Sequence, residues 1–282
     1  MEEQNSFPDQ EQNLPGSEAK MIPNPEVIHA EYQGSNKLKN KIALITGGDS
    51  GIGRSIAVHF AREGADVAIA YLNEDNDANE TKIMVEKEGR RCLLLRGDLK
   101  EEDFCREIVS RTVEEFGGLN ILVNNAAVQF SEHDIEKITT DQLLLTYQTN
   151  IFPFFHTTKE AVKHLKEGDS ILNTTSVTAF RGSEHLVDYS TTKGAIVTFT
   201  RSLSSNLVSR GIRVNGVAPG PIWTPLIPAT FDDVTEFGIH TPMKRAGQPS
   251  EVAPAYVFLA SNDASYITGQ IIHINGGDIV GS

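Results

Sequence analysis

The sequence predicts an α/β fold, with a doubly wound, seven-stranded parallel sheet and helices on both faces. Three observations favour it. From Lys41 onwards, short β-rich runs alternate with helical stretches along the 282 residues. Seven of these runs are apolar along most of their length, which is typical of parallel strands covered on both faces. A glycine-rich turn follows the first run, where the first helix would begin.

The first five predicted elements form a βαβαβ unit. Their sequences are KIALIT, SIAVHFAREG, DVAIAYL, ANETKIMVEKEG and RCLLLRGD, and the helices end at Gly64 and Gly89, where glycine commonly ends a helix. The alternation continues with a helix around 101–116, the strand NILVNNAA, a helix around 140–166, the strand SILNTTS, a helix from about 189 to 209, the strand RVNGVAP, a helix near 251–260 and the strand QIIHING. Residues 39–282 are therefore predicted to form a single domain.

Residues 1–38 have a different composition, rich in Gln, Asn, Glu and Pro, with the turn sequences LPGS and IPNPE. They predict an extended N-terminal arm. Two interpretations stay open: the arm is disordered, or Met21, Ile22 and Val27 pin it to a neighbouring surface or subunit.

Composition excludes several classes of function. A formal net charge of −13 repels polyphosphate backbones, so we expect no nucleic-acid partner. No run reaches the roughly 18 apolar residues of a membrane helix, and the N-terminus lacks a signal-peptide pattern, so we expect a cytoplasmic protein without a membrane partner. Cys92 and Cys105 predict buried thiols, and the eight scattered histidines predict no metal site.

The stretch TGGDSGIGRS, residues 46–55, lies where a phosphate-binding loop is expected. Free N–H groups at the start of a helix attract an anion, and glycines let the backbone approach it closely. The stretch fits the dinucleotide loop of a Rossmann-type fold. It also fits a P-loop in which Arg54 replaces the lysine and Asp98 supplies the acidic metal ligand, or a turn that merely packs helix on strand. The loop alone does not choose among these.

Tyr189 and Lys193 lie four residues apart in a predicted helix, so their side chains share one face. A nearby ammonium favours the phenolate and lowers the phenol pKa from about 10 towards neutrality, as a general acid/base requires. A tyrosine packed on a lysine stem gives the same spacing. The polar cluster NTTSVTAF at the preceding strand end favours the catalytic interpretation.

Together these residues resemble the short-chain dehydrogenase/reductase family, in its type with a Tyr-x-x-x-Lys motif. The matching stretches are TGGDSGIGR at 46–54, GDL at 97–99, NNAA at 124–127, Asn150 in QTNIF, Ser176 in NTTSV, Tyr189 with Lys193, and PGPIWTPL at 219–226. With its extended arm, the chain also resembles bacterial oxidoreductases described as general stress proteins or aldehyde reductases.

The resemblance implies four catalytic roles. Tyr189 would be the acid/base, and Lys193 would lower its pKa and bind the nicotinamide ribose. Ser176 would polarise the substrate carbonyl, and Asn150 would orient a water that links Lys193 to a proton relay. Plainer roles remain open, since Ser176 could cap the next helix and Asn150 could satisfy a buried backbone kink.

The resemblance also implies that residues 39–282 form a dinucleotide-binding catalytic domain with NAD or NADP as cofactor. The residues expected to bind it are Gly47, Asp49, Ser50, Gly51, Ile52, Gly53, Tyr71, Leu72, Asn73, Asp98, Leu99, Asn124, Ala126, Tyr189, Lys193, Pro219, Gly220, Ile222 and Thr224. Ala127 departs from the glycine that the family commonly has there, which affects the pocket floor.

The choice between NAD and NADP depends on the end of the second strand, where an acid selects NAD and an arginine selects NADP. Tyr71, Leu72 and Asn73 carry neither signal. The acidic residues around this strand end would repel an added phosphate, although Arg54 could offset part of their charge; they are Asp49, Glu74, Asp75 and Asp77. The sequence therefore favours NAD, and the use of both cofactors stays open.

The substrate pocket is expected at the open end of the sheet. Its predicted residues are Ser176, Val128, Gln129, Val177, Thr178 and Trp223, with Phe180 and Leu186 nearby. The segment PLIPATFDDVTEFGIH, residues 225–240, is either a lid over a modest ligand or an ordinary surface segment. A small aldehyde, ketone, secondary alcohol or polyol would fit, and the family resemblance implies a homotetramer.

We therefore predict an NAD(P)-dependent oxidoreductase that transfers a hydride between nicotinamide and a small carbonyl or alcohol. The alternative is a catalytically weak nucleotide-binding stress or redox sensor on the same fold. A P-loop phosphotransferase leaves Tyr189 and Lys193 unexplained, and an epimerase usually needs a longer C-terminal region than this chain has.

Overall fold

The predicted strands form one parallel sheet in the computed structural model, which describes residues 6–281. They are β1 (Ile42–Thr46), β2 (Asp66–Tyr71), β3 (Cys92–Arg96), β4 (Ile121–Asn124), β5 (Ser170–Thr174), β6 (Arg213–Pro219) and β7 (Ile271–Ile274). Across the sheet their order is β3-β2-β1-β4-β5-β6-β7. This is a doubly wound sheet of Rossmann type, so the predicted fold class is confirmed.

Helices cover both faces of the sheet. They are α1 (Gly51–Arg62), α2 (Asp75–Lys87), α3 (Glu102–Phe116), α4 (Thr140–Asn150), α5 (Phe152–Ala161), α6 (Thr178–Arg181), α7 (Val187–Leu207) and α8 (Pro249–Ala260). On one face, Phe60 of α1 and Tyr256 of α8 are fully buried against the strands. On the other, Ile108 of α3 and Leu207 of α7 pack against the sheet. This double cover explains why the strands are apolar on both sides.

The helix predicted around 140–166 is instead two helices, α4 and α5. The chain leaves helical geometry at Ile151, where φ is −122° and ψ is −52°. Pro153 lies in the first turn of α5. Proline has no N–H and its ring clashes with the preceding turn, so it suits a helix start and prevents α4 from continuing.

The N-terminal arm, residues 6–38 of the described chain, lies along the surface of the domain. Met21 is 2% exposed and joins a small apolar cluster with Trp223, Ile227 and Val234. Ile22 is 65% exposed, so it does not pin the arm to the surface of its own chain. The described part of the arm fits the pinned interpretation, with Met21 as an anchor.

Two further features of residues 6–281 bear on function. None of their helices combines the length and apolarity needed to cross a membrane. Nor do these residues contain a cluster of three or more His, Cys, Asp or Glu side chains placed to hold a metal ion. Cys92 and Cys105 are both buried free thiols, as predicted.

Candidate active site

A cavity of about 770 Å³ lies along the carboxyl ends of the strands. Strand β1 lies between β2 and β4, so the chain connections diverge to opposite sides at this point of the sheet. Ligands of doubly wound folds bind in the crevice that this divergence opens. The cavity wall includes residues from the glycine-rich loop and from the turns after each of β2 to β6.

The glycine-rich loop leaves space that only glycine permits. Gly47 has a φ of +62°, a left-handed conformation, and its N–H donates to the Ala70 carbonyl at 2.7 Å. A Cβ on Gly53 would lie 1.8 Å from the Gly47 oxygen, so no side chain fits there. The loop therefore folds closely onto the start of α1 and presents backbone amides to the cavity, a cradle that suits a pyrophosphate.

Arg54 does not face this cavity. It is 2% exposed, and its guanidinium lies 2.7 Å from Glu18, 3.4 Å from Asp77 and 3.3 Å from Glu80. Its Nε also donates to the Asp49 carbonyl at 3.0 Å. Because carboxylates surround it, Arg54 cannot act as the cation of a P-loop. It does offset part of the acidic charge around the cavity, as expected, because it pairs with Asp77 and its charge lowers the pKa of Asp49 against the larger effect of burial.

Three of the four side chains expected to be catalytic, Ser176, Tyr189 and Lys193, line the same cavity. Helix α7 places Tyr189 and Lys193 on one face, with the Lys193 ammonium nitrogen 5.2 Å from the centre of the Tyr189 ring. The same nitrogen donates to the Thr174 carbonyl, at the end of β5, at 3.1 Å. Ser176 lies two residues farther along the chain and lines the same cavity. Tyr189 is 9% exposed and Lys193 is 1% exposed, so both groups lie in a poorly hydrated environment.

Burial dominates the protonation of this pair. It raises the pKa of Tyr189 to about 12, against an opposing hydrogen bond from Ser176. Burial also lowers the pKa of Lys193 to about 7. The expected fall of the Tyr189 pKa towards neutrality is therefore wrong for the protein without cofactor. The physical reason is that Lys193 is desolvated itself and bonds to a carbonyl, so it supplies little positive charge to the phenol.

Asn150 lies behind the cavity wall. It is fully buried at the end of α4, and its side-chain oxygen accepts from the Val128 N–H at 2.8 Å. Its amide donates to the Val128 carbonyl at 2.8 Å and to the Thr192 hydroxyl at 3.2 Å. The side chain thus satisfies the backbone of Val128, which lines the cavity. This matches the plainer of the two roles considered for Asn150.

Comparison with known proteins identifies the family. A sequence model of the family described as "Enoyl-(Acyl carrier protein) reductase" matches residues 47–278. The chain is 55% identical to "General stress protein 39" of Bacillus subtilis (strain 168), with 94% of each chain covered. It is 51% identical to "Glucose and ribitol dehydrogenase" of Daucus carota, with 97% of each covered.

A solved structure extends the likeness to the fold. It is the crystal structure of a short-chain dehydrogenase from Burkholderia cenocepacia J2315 in complex with NADP. The two chains are 33% identical with a TM-score of 0.81, over 86% of this chain and 98% of that one. This chain belongs to the short-chain dehydrogenase/reductase family. It is therefore an oxidoreductase of a family that works with a nicotinamide cofactor, and both resemblances seen in the sequence are confirmed.

Most residues expected to bind cofactor or substrate line the cavity of this dehydrogenase/reductase. They are Gly47, Asp49, Ser50, Gly51, Ile52, Gly53, Tyr71, Leu72, Asn73, Asp98, Leu99, Ala126, Val128, Gln129, Ser176, Val177, Thr178, Tyr189, Lys193, Pro219, Gly220, Ile222 and Thr224. Ser176 also accepts a hydrogen bond from the Thr178 N–H at 3.2 Å, so it supports the start of α6 as well.

Asn124 does not line the cavity of the enzyme. It is 1% exposed, and its amide donates to the side-chain oxygen of Asn173 at 3.0 Å and to the Thr158 hydroxyl at 3.3 Å. Successive side chains of a strand point to opposite faces, so the next residue, Asn125, reaches the cavity instead. Its amide donates to the Gly47 carbonyl at 3.1 Å and braces the glycine-rich loop. The motif NNAA contains both asparagines. The cofactor contact was expected at Asn124, whereas Asn125 is the one that lines the cavity.

Trp223 is also outside the cavity, contrary to expectation. It is fully buried, its ring stacks on Phe7 of the arm at 3.7 Å between centroids, and its Nε1–H donates to the Pro23 carbonyl at 2.8 Å. Phe180, which was expected nearby, stacks edge to face with His273 and likewise lies outside the wall. The pattern PGPIW could not reveal this, because the arm that covers Trp223 is distant in sequence.

Further residues complete the cavity wall of this dehydrogenase/reductase, some from the predicted segment 225–240 and some that the sequence did not single out. The segment 225–240 contributes one side of the wall, in the position expected of a lid, through Pro225, Leu226, Ile227, Phe231, Phe237 and His240. Arg181 and His185 add polar groups after β5. Leu14 and Pro15 of the N-terminal arm complete the wall. The cavity wall thus combines mainly apolar groups of the segment 225–240 with polar groups after β5.

Proposed function

We propose that the enzyme transfers a hydride between a nicotinamide cofactor and a small carbonyl or alcohol, with residues 39–282 as its catalytic domain. The observation that carries this proposal is the meeting of Ser176, Tyr189 and Lys193 in the cavity that begins at the glycine-rich loop. A bound reduced nicotinamide supplies the hydride. The remaining chemistry belongs to the chain itself.

In the reductive direction the substrate carbon gains a hydride and its oxygen gains a proton. The Ser176 hydroxyl holds the carbonyl oxygen, and the Tyr189 phenol donates the proton. With a pKa of about 12, Tyr189 is fully protonated near neutral pH, which is the form that an acid needs. Lys193, whose ammonium nitrogen lies 5.2 Å from the centre of the Tyr189 ring, would hold the nicotinamide ribose, and Asn150 acts indirectly by fixing the backbone of Val128.

The polar groups of the cavity wall support a hydroxylated substrate, such as an aldose or polyol. Gln129 donates to the Thr230 hydroxyl at 3.2 Å, which joins the wall to the segment 225–240. Arg181, His185 and His240 offer further hydrogen-bonding groups. The name of the carrot relative, a glucose and ribitol dehydrogenase, agrees with this substrate class.

For the cofactor we propose dual use with a preference for NAD. Asp49 and Glu74 line the cavity near the end of β2, where an added phosphate would lie. Burial raises the pKa of Asp49 to about 6, so this carboxyl remains largely ionised at neutral pH. The nearby cations are already paired, with Arg96 at 2.8 Å from Asp75 and Lys100 at 3.3 Å from Asp98. The NADP bound to the Burkholderia relative instead favours NADP as the cofactor.

We also propose a cytoplasmic homotetramer. Helices α5 and α7 form an apolar groove of about 630 Å³ that includes Phe155 and Phe199, and Phe155 is 48% exposed in the single chain. An exposed apolar face of this kind marks an association surface. The two free cysteines agree with a reducing compartment. Light scattering of the purified protein measures the assembly, and a monomer would contradict the proposal.

The test of function begins with fluorescence titration by NADH and NADPH. Each cofactor is then incubated with small aldehydes, ketones and aldoses while nicotinamide absorbance is followed. Tyr189→Phe should bind NADH normally and lose turnover by at least about 100-fold. Tyr147→Phe is the matched control, because the Tyr147 hydroxyl bonds to Thr191 outside the cavity at 3.1 Å. Binding without turnover by the wild type would favour the sensor alternative.

A further inference from the structure

The N-terminal arm reaches the glycine-rich loop through one buried carboxylate. Glu18 is 4% exposed, and its Oε2 accepts from the Gly51 N–H at 2.6 Å. Its Oε1 accepts from Arg54 at 2.7 Å, and its own N–H donates to Asp77 at 2.9 Å. One arm residue thus joins the first residue of α1 to helix α2.

Glu18 bonds to only one of the free backbone amides at the start of α1. The first N–H groups of a helix have no partner within the helix, and here they begin with Gly51, Ile52 and Gly53. Glu18 takes the Gly51 N–H and leaves those of Ile52 and Gly53 for a ligand in the cavity. Because Gly51 has a left-handed φ of +53°, a fixed hydrogen bond there also limits the other conformations open to a glycine.

The arm then passes along the cavity itself. Leu14 and Pro15 line the wall together with Gly51 and Pro225. The Gln12 N–H donates to the Pro228 carbonyl at 2.8 Å, so the arm lies between the glycine-rich loop and the segment 225–240. The Phe7 N–H bonds to the Thr235 carbonyl at 3.2 Å, farther along the same segment.

The surroundings of Glu18 make stability alone a weak explanation for this carboxylate. Burial raises its pKa to about 7, although Arg54 and the Gly51 N–H lower it and Asp77 and Glu80 raise it further. A buried ion pair contributes little net stability, since an apolar group of similar volume often serves as well. A carboxylate at this position has a second effect that an apolar group lacks, because it holds a backbone amide of the loop.

We infer that the N-terminal arm is part of the cofactor site: Glu18 is a positioning residue that fixes the glycine-rich loop for the pyrophosphate, and Leu14 and Pro15 form one wall. The inference rests on the proposed nicotinamide cofactor. It assigns the arm a direct effect on cofactor affinity, separate from its packing against Trp223.

The test compares variants of Glu18 by NADH fluorescence titration, by kcat at saturating cofactor and by thermal melting. Glu18→Ala should raise the Kd for NADH about tenfold and leave kcat within about twofold, because one charge-assisted hydrogen bond to the loop is lost. Glu18→Gln retains a carbonyl that accepts from Gly51 and should recover most of the affinity. Glu26→Ala is the control, since Glu26 ties the arm to Ser250 of α8, away from the cavity.

An unchanged or tighter Kd in Glu18→Ala would overturn the inference, as would an equal loss of affinity in Glu26→Ala. If Glu18→Ala does not fold, Glu18→Asp is measured in the same way, because it keeps the charge but shortens its reach to Gly51. A wild-type Kd in Glu18→Asp would then overturn the inference. The deciding measurement is the Kd for NADH, which does not require turnover, so a wild-type protein that binds NADH without turnover would affect the proposed function alone.

Discussion

Replacing Lys193 with methionine should make the cofactor-free protein more stable. Lys193 is 1% exposed, and burial lowers its pKa from 10.5 to about 7. Within residues 6–281 its ammonium has one hydrogen-bond acceptor, the Thr174 carbonyl. Methionine has a similar length, no charge and a flexible apolar chain, so Lys193→Met fills the site without a charge to desolvate.

The magnitude follows from the pKa. A fall from 10.5 to about 7 corresponds to about 5 kcal/mol of destabilisation at pH 7 and below, at about 1.36 kcal/mol per pH unit. Loss of the bond to Thr174 offsets about 1 kcal/mol. We expect Lys193→Met to gain about 3–4 kcal/mol, or about 5–7 °C in Tm for a chain of this length.

The stability difference between Lys193→Met and the wild type should change with pH in one direction. Between about pH 7 and 10.5 the unfolded chain binds a proton at Lys193 that the folded chain does not, so wild-type stability rises with pH across this window. The advantage of Lys193→Met should therefore be full at about pH 6 and nearly absent at about pH 10.

Urea denaturation of the cofactor-free proteins at several pH values measures this difference. Tyr189→Phe is the control, because it removes a hydroxyl from the same cavity without removing a positive charge. A Lys193→Met protein that is less stable than wild type near pH 7 would refute the reasoning. So would a stability difference that stays constant as the pH rises.

Two further predictions follow from the structure. Asp49→Asn should improve the Kd for NADPH relative to NADH about tenfold at about pH 8, with a smaller gain below about pH 6, where Asp49 is protonated. Fluorescence titration measures it, and an unchanged ratio at the higher pH contradicts it. Trp223→Phe should lower the free energy of unfolding by about 1–2 kcal/mol, through loss of the bond to Pro23, without changing substrate preference. A changed substrate preference in Trp223→Phe would contradict the placement of Trp223 outside the substrate pocket.

Local patterns predicted the parts of the fold and site that depend on local geometry. Apolar runs of strand length predicted all seven strands, because a parallel sheet is buried on both faces. The four-residue spacing of Tyr189 and Lys193 placed both on one face of α7, since that spacing is close to one helical turn. The break at Ile151 also had a local signal, the proline in FPFF, which the helix prediction did not use.

The misplaced residues depended on contacts between distant segments. Asn124 and Asn125 differ only in which side of β4 they face, and the motif does not state which side bears the cavity. Trp223 is covered by an arm about 200 residues away in sequence. The pKa of Tyr189 depends on how deeply α7 is buried, which the four-residue spacing does not report.

The two buried cations of the site differ in what surrounds them, and this difference determines what each can do. Arg54 lies within 4 Å of Glu18, Asp77 and Glu80, and these carboxylates offset its positive charge. Among residues 6–281, no carboxylate lies within ion-pair distance of Lys193, which bonds only to a neutral carbonyl. Burial without a counter-charge lowers the pKa of Lys193 to about 7, so an anionic group that enters the cavity would favour its charged form. Lys193 is therefore placed to respond to the charge of a bound cofactor, whereas Arg54 acts on the cofactor site through its contacts with Asp49 and Glu18.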